Sequence, residues 1–227
     1  MNQSPDVNSL RWKWTLSAIF VGWGVAICAA WWSMTAYSYQ IDGEAQSIAA
    51  WPSDSNLTLA DDRPTVLLFL HPRCPCSAAS LTELEQAISD TPAARKPRVL
   101  VIATVPTQYD DQWTGASNVE RGKRLPNASV VFDIGGVESN KFGVASSGHV
   151  MAFASSGDLL FTGGVTESRG HAGNNVGRAS LVNALTGAAF PTAKPPVFGC
   201  RLCLPEPSSR EESGAAAPLD PNQVSLP

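Results

Sequence analysis

The sequence predicts an α/β domain, a central mixed sheet flanked by helices, carried behind one N-terminal transmembrane helix. Three observations predict it. No charged residue lies between Lys13 and Asp42, and most of that stretch is apolar. Two short apolar runs, 65–71 (TVLLFLH) and 99–105 (VLVIATV), enclose a segment with helical spacing, the pattern of buried strands joined by a crossover helix. Further on, 149–154 (HVMAFA) and 158–164 (DLLFTGG) are separated by Ser155-Ser156-Gly157, a hairpin signal.

The first element is the apolar run TLSAIFVGWGVAICAAWWSMTAYSY. It supplies the roughly 20 residues that a helix needs to cross a bilayer core. Trp12, Trp14, Trp31, Trp32, Tyr37 and Tyr39 gather at its two ends as an interfacial aromatic belt. Arg11 and Lys13 flank its start, and the next basic residue is Arg63. The positive-inside bias therefore predicts a cytoplasmic N-terminus over 1–14, a span over 15–36 and everything after it outside the cytoplasm. A cleaved signal peptide would have a shorter core and small residues where Trp31 and Trp32 stand. A lipoprotein signal at Cys28 would want a small residue where Ile27 stands. Cys28 then reads as a small apolar residue of the span. The expected location is the cell inner membrane, single-pass, with a periplasmic soluble domain.

Residues 37–63 are aperiodic and read as a linker. The domain itself is expected over 64–190. After the 65–71 strand, Pro75 suits the first helical position. Leu81, Leu84 and Ile88 then recur at helical spacing, with Thr82, Glu83, Glu85 and Gln86 on the opposite side. Pro92 ends that helix. The stretch 106–127 is polar and has room for a short helix, and 129–133 (SVVFD) is a third strand. VESNKFGV gives a short helix that turns at Gly143. VGRASLVNAL gives the last helix, with Asn174 or Asn175 as its cap. From Pro191 on there are eight prolines and little periodicity, so 191–227 is expected to be a Pro-rich tail, largely disordered, with the disorder beyond Leu204.

Composition narrows the function. The chain has 227 residues and a formal charge of −4, with no basic face; nucleic acid is not an expected partner. There is no paired-carboxylate or Ser-His-Asp pattern and no implied cofactor. The five cysteines carry the signal. Apart from Cys28 they form Cys74-Pro75-Cys76 and Cys200-Arg201-Leu202-Cys203. Cys74 follows a buried strand at the start of a helix, where free N–H groups favour a thiolate. Arg73 adds a cation, and His71 lies at the strand end. A thiolate so placed attacks disulfides through a mixed disulfide. Cys76 is the nearest thiol in sequence to resolve it, although a ring over one residue is tight.

The element order resembles the thioredoxin fold over roughly 65–188. That resemblance implies a redox cysteine at Cys74 and a loop opposite it just before His149. Ser77 stands where the fold's usual Cys-x-x-Cys has its second cysteine, and Gly148 where it has a proline. HPRCPCSAASLTEL, SGH, SRGHAGNNVGR and PVFGC, in that order, are similar to the RedB-type thioredoxin-domain proteins. This implies a membrane-associated, thioredoxin-like thiol–disulfide oxidoreductase with a protein disulfide or dithiol as partner.

The predicted chemistry thus has Cys74 attacking and Cys76 resolving, with His71, Arg73 and His149 tuning or orienting them. Cys200 and Cys203 form a possible secondary dithiol or a tail disulfide. Two alternatives stand beside it. One is a Cu or Zn site, or copper-delivery module, built from His71, Cys74 and Cys76 with His149 as a fourth ligand. The other is a non-catalytic interaction domain in which the cysteines form structural pairs. SRGHAGNNVGR, Gly-rich ahead of a helix, could cradle an anion with its N–H groups or act as a tight capped loop. Arg169 and Arg178 are expected to pair with acids such as Glu167.

Overall fold

The computed structural model describes residues 7–41, 48–188 and 194–202, with side chains from Arg11 onward. Cys203 and the rest of the tail lie outside these residues. The first helix, α1 (Val7–Ser38), contains 28 residues, Arg11–Ser38, long and apolar enough to cross a membrane. Cys28 is exposed on it.

The domain is built on one five-stranded sheet. Its strands are β1 (Thr65–Leu70), β2 (Arg98–Val105), β3 (Ala128–Ile134), β4 (His149–Phe153) and β5 (Leu159–Gly164), in the order β3-β2-β1-β4-β5. β1 pairs with β2, and β2 with β3, in parallel; β4 runs antiparallel to both β1 and β5. This is the thioredoxin-like arrangement. The helices are α2 (Ser77–Asp90), α3 (Asp111–Thr114), α4 (Ser117–Arg124), α5 (Val137–Lys141) and α6 (Val176–Thr186).

β1 is central and buried at all six positions, which is why its sequence shows no polar alternation. Its side chains still alternate between two cores. Val66, Leu68 and Leu70 join Leu81, Leu84 and Ile88 of α2 and Leu181 and Leu185 of α6. Leu67 and Phe69 join Phe142, Met151, Phe153 and Leu202 on the other face.

Four sequence expectations need correction. Residues 48–64 do not act as a spacer: Trp51 stacks edge-on against both Phe142 and Phe153 at 5.1 Å, and Ile48, Leu57 and Leu59 pack on the same core. Spread over an aperiodic segment, these apolar residues left no period to read. α2 begins at Ser77, not at Pro75. Cys76 holds its N-cap position, and Cys74 to Ser77 form a preceding turn closed by the Ser77 N–H on the Cys74 carbonyl at 3.2 Å. Glu83 is not on a solvated face; it is 1% exposed. Its carboxylate accepts from the Gly173 N–H (2.6 Å), Asn175 Nδ2 (3.1 Å) and Arg178 Nη1 (2.9 Å). The Gly-rich loop therefore cradles an anion belonging to the protein itself, while Asn175 caps α6 through the Arg178 N–H at 2.8 Å. Arg178 thus pairs with an acid, as expected, and that acid is Glu83.

The fourth correction concerns the tail. Residues 194–202 form an ordered strap across the sheet edge and the loop before β4. The Gly164 N–H donates to the Pro195 carbonyl (3.0 Å), the Ser147 N–H to the Cys200 carbonyl (2.8 Å) and the Leu202 N–H to the Ala145 carbonyl (2.9 Å). Phe198 and Leu202 are buried beneath it. The strap lies so close that a Cβ on Gly164 would sit 2.2 Å from the Pro196 oxygen, and one on Gly199 1.8 Å from the Ser147 oxygen. Prolines and the absence of periodicity give no sign of an element here. Pairing through backbone, with two apolar anchors, leaves no periodic signature.

Candidate functional site

The site lies where β1 ends and α2 begins. The chain leaves the sheet at Leu70, turns through 71–76 and enters α2. Several bonds hold this turn. Asn118 Nδ2, on α4 and buried, donates to the carbonyls of Pro72 (3.1 Å) and Cys74 (2.8 Å). The Cys74 N–H donates to the His71 carbonyl at 3.0 Å, and the His71 N–H to Ser147 Oγ at 2.8 Å. The hydroxyls of Ser77 and Ser147 lie 2.8 Å apart. Ser77, in place of a second motif cysteine, ties the turn to the loop before β4. That same loop, through the Ser147 N–H, holds the strap.

These bonds bring three sulfurs together. The Sγ atoms of Cys74, Cys76 and Cys200 all lie within 4.8 Å of one another. Cys74 and Cys200 are nearest, with sulfurs 2.7 Å apart across 126 residues of sequence. Cys74 is 2% exposed, Cys76 is buried, and Cys200 is half-buried.

Electrostatics separates the three. Burial pushes the Cys74 thiol up. Hydrogen bonds from the Cys200 side chain and N–H, from the Ser77 hydroxyl and from the Cys76 N–H outweigh it, and the thiol lies below its ordinary value. Cys76 is raised by burial and by the neighbouring Cys74 sulfur. Cys200 is pushed up to about 12 by burial, by its hydrogen bond to Cys74 and by the charges at Cys74 and Cys76. Cys200 as donor and Cys74 as acceptor satisfy both sets of causes.

The tuning residues are arranged otherwise than expected. Arg73 places its guanidinium over the Trp113 ring, 5.4 Å from the centroid. The cation that lowers Cys76 and Cys200 is Arg169. Arg169 is 7% exposed and lies over Tyr37 at 4.9 Å; its N–H donates to the Ser38 carbonyl (3.0 Å) and its Nε to the Gln40 carbonyl (3.2 Å). Tyr39 packs edge-on against Phe198 of the strap, with centroids 6.2 Å apart. The end of α1 thus abuts the elements that hold the sulfurs. His71 packs against Trp113 at 5.3 Å, and its Nδ1 accepts from the Arg73 N–H at 3.2 Å; burial and then the Arg73 charge hold the imidazole below its ordinary value. His149 opens β4 and is buried, with Nε2 2.8 Å from Thr162 Oγ1. Neither histidine joins the sulfur group. His171 bonds through Nδ1 to Ser168 Oγ at 2.9 Å.

Asn118, Ser147 and Arg169 were not singled out as site residues by sequence. Asn118 lies far from the motif in the chain, and nothing about an isolated Asn marks it, while Arg169 falls within SRGHAGNNVGR without any sign there that it faces the sulfurs. Ser147 and Cys200 did fall in or beside quoted motifs, SGH and PVFGC, whose common purpose appears only when the strap is seated.

No family model matches the chain, and no curated protein matches it. Among solved structures, it is similar to a hypothetical protein from Sinorhizobium meliloti at 19% identity, covering 74% of this chain and 96% of that one with a TM-score of 0.53. It is also similar to an uncharacterized conserved protein from Geobacillus kaustophilus at 19% identity, covering 75% and 95% with a TM-score of 0.51. At such identities the likeness is one of fold.

Proposed function

We propose that the protein is a membrane-anchored thiol–disulfide oxidoreductase working outside the cytoplasm, with Cys74 of the Cys-Pro-Cys motif as the attacking sulfur. One observation carries this reading: Cys74, in the turn between β1 and α2, lies 2.7 Å from the Cys200 sulfur, and converging donors hold its thiol below the ordinary value although it is buried. The thiolate is the nucleophile in exchange. The order of HPRCPCSAASLTEL, SGH, SRGHAGNNVGR and PVFGC supports a RedB-type assignment within the thioredoxin-like proteins. Arg11 and Lys13 beside α1 support a cytoplasmic N-terminus at the inner membrane and a periplasmic domain. The partner is a protein disulfide or dithiol.

The test is reduction of a peptide disulfide by the full chain in detergent. Alkylation of the reduced protein from about pH 5 to pH 9 should modify Cys74 first. Equal reaction at all cysteines, or exchange that survives Cys74→Ser, overturns the reading. A reporter active only in the cytoplasm, fused after Gln223, should be silent.

A second reading is favoured by the grouping of three sulfurs, since soft thiolates select Cu(I) or zinc. Its ligands would be Cys74, Cys76 and Cys200, with His71 and His149 left out of the set. Anaerobic loading with Cu(I) or zinc, then desalting, decides it. About one metal per chain, kept in His71→Ala and lost in Cys200→Ser, would favour metal binding.

A further inference from the structure

We propose that Cys200, carried on the C-terminal strap, is the resolving sulfur for Cys74, and that the working disulfide of this protein joins Cys74 to Cys200 and not Cys74 to Cys76. This rests on the thiol-exchange reading.

The two sulfurs are 2.7 Å apart. A disulfide needs about 2.05 Å, so roughly 0.7 Å of closure forms the bond. Bonding Cys74 to Cys76 instead would close a ring over Pro75 alone, where disulfide geometry is hard to satisfy. The motif's ordinary second position is filled by Ser77, whose hydroxyl is committed to Ser147. Cys200 is delivered by a fixed element. Backbone bonds at Pro195, Cys200 and Leu202 fasten the strap on both sides of the sulfur, and Phe198 and Leu202 anchor it in the core. Gly199, next to Cys200, is the residue that permits the close seating on Ser147. Side chains alternate along this segment, so that Phe198 and Leu202 are buried while Arg201 is exposed. The strap thus completes, from the far end of the chain, a pair that the Cys-Pro-Cys motif lacks.

The reaction balances with two protein thiols. The Cys74 thiolate attacks one sulfur of a client disulfide, forming Cys74–S–S–client and expelling the other client sulfur as a thiolate. Cys200 loses its proton to that thiolate or to solvent and attacks the Cys74 sulfur. The Cys74–Cys200 bond forms, and the remaining client sulfur leaves as a thiolate. Two electrons have passed to the client, now a dithiol, and the protein is oxidised. An external protein dithiol restores it by the same steps in reverse.

The test uses the full chain in detergent, with Cys203→Ser as the background so that no other tail thiol can substitute. The reduced protein is mixed with a disulfide-bonded peptide, and products are mapped under non-reducing conditions by mass spectrometry. With Cys76→Ser added, the peptide should be released and a Cys74–Cys200 linked peptide recovered. With Cys200→Ser added, the mixed disulfide on Cys74 should accumulate, its release slowed by about 100-fold or more, because a positioned thiol far outperforms one in solution. Trapping by Cys76→Ser with normal release by Cys200→Ser overturns the inference and leaves thiol exchange standing. A Cys74–Cys200 bond that neither a peptide dithiol nor a peptide disulfide exchanges with also overturns it, as a structural cross-link. Absence of any adduct on Cys74 in every variant would instead remove the exchange reading beneath it. Partial oxidation of the chain without substitutions, followed by the same mapping, should give the Cys74–Cys200 peptide and guards against a variant that misfolds.

Discussion

The turn that carries Cys74 and the strap that carries Cys200 meet at one point, yet they are built in opposite ways. The turn is local. It follows the central strand directly and enters a helix, and its position is fixed by the sheet, by Asn118 on its carbonyls and by the Ser77–Ser147 pair. The strap is wholly non-local. It has no helix or ladder of its own, and its place depends on three backbone bonds, two buried side chains and two glycines that let it lie close. The electrostatics follows the same division: Cys74 is lowered by donors, and Cys200 is raised by the sulfurs it faces. One sulfur is thus set by the sheet and its neighbours, and the other by a segment fastened on both sides of it from the far end of the chain.

Removing the nucleophile should break the comparison most completely. Cys74→Ser is expected to lower peptide-disulfide reduction by at least about 10³-fold, since a hydroxyl is a far weaker nucleophile than a thiolate. Stopped-flow or quenched assays on the purified full chain read this directly. A residual rate above a tenth would show that the turn is not where exchange begins.

Unseating the strap comes next. In Gly199→Ala the new Cβ would stand 1.8 Å from the Ser147 oxygen and 2.8 Å from its carbonyl carbon, so backbone must shift. We expect about 1–3 kcal/mol of lost stability, as for other overpacked sites. Cys200 should become freely alkylated, with roughly tenfold or greater loss of the Cys74–Cys200 link on mild oxidation. First attack by Cys74 should fall much less. Equal loss of both steps would mean that turn and strap are one unit.

The contrast also explains what could be read from the sequence. The strands 65–71 and 99–105, the α2 spacing of Leu81, Leu84 and Ile88, and the hairpin around Gly157 announce themselves by period and punctuation. So does Cys74, as a cysteine between a buried strand and a helix. The resemblance supplied the thioredoxin-like fold from that order, and the sheet order agrees with it. Glu83 was misplaced because helical spacing gives a face but not what packs on it; α6 and its leading loop cover that side. Trp51 and the 48–64 segment carry no period. The pattern marks Arg169 only as a charge, and nothing in it shows that the guanidinium lies over Tyr37 and acts on the sulfurs. Cys200 is the clearest case: a proline-rich segment looks like a tail until its few apolar residues find the core.

The local side can be loosened without touching sulfur. Asn118→Ala would leave the carbonyls of Pro72 and Cys74 without their side-chain donor. The Cys74 carbonyl keeps the Ser77 N–H, whereas the Pro72 carbonyl is left unpaired, at a cost of about 1–3 kcal/mol. Exchange by Cys74 should fall a few-fold, with the strap still seated and Cys200 still protected from alkylation. Denaturant unfolding combined with alkylation mapping separates this from the Gly199 result, where the order of effects is reversed.

The smallest effect at neutral pH is expected at His149, which opens β4 one residue after the loop that holds both regions. Burial alone holds its imidazole down at about 4, against an ordinary value of 6.5, and Thr162 supplies its hydrogen bond. In the unfolded chain the ring takes a proton as pH falls below 6.5, whereas in the folded protein it resists until about 4. Stability from this residue is therefore complete above pH 6.5, declines as pH falls between 6.5 and 4, and changes no further below that. At pH 5 the loss is about 2 kcal/mol, from roughly 1.4 kcal/mol per unit over that interval. His149→Gln keeps a donor for Thr162 and cannot take up the proton. The variant and the parent should then differ little in slope above pH 7, while the parent alone loses those 2 kcal/mol on going to pH 5. Denaturant unfolding of both at pH 8, 6 and 5 measures it. Parallel curves for the two would show that His149 is not the acid-sensitive group of this loop, and would move attention to His71, which burial also holds below its ordinary value on the opposite, Cys74-bearing side of the same contact.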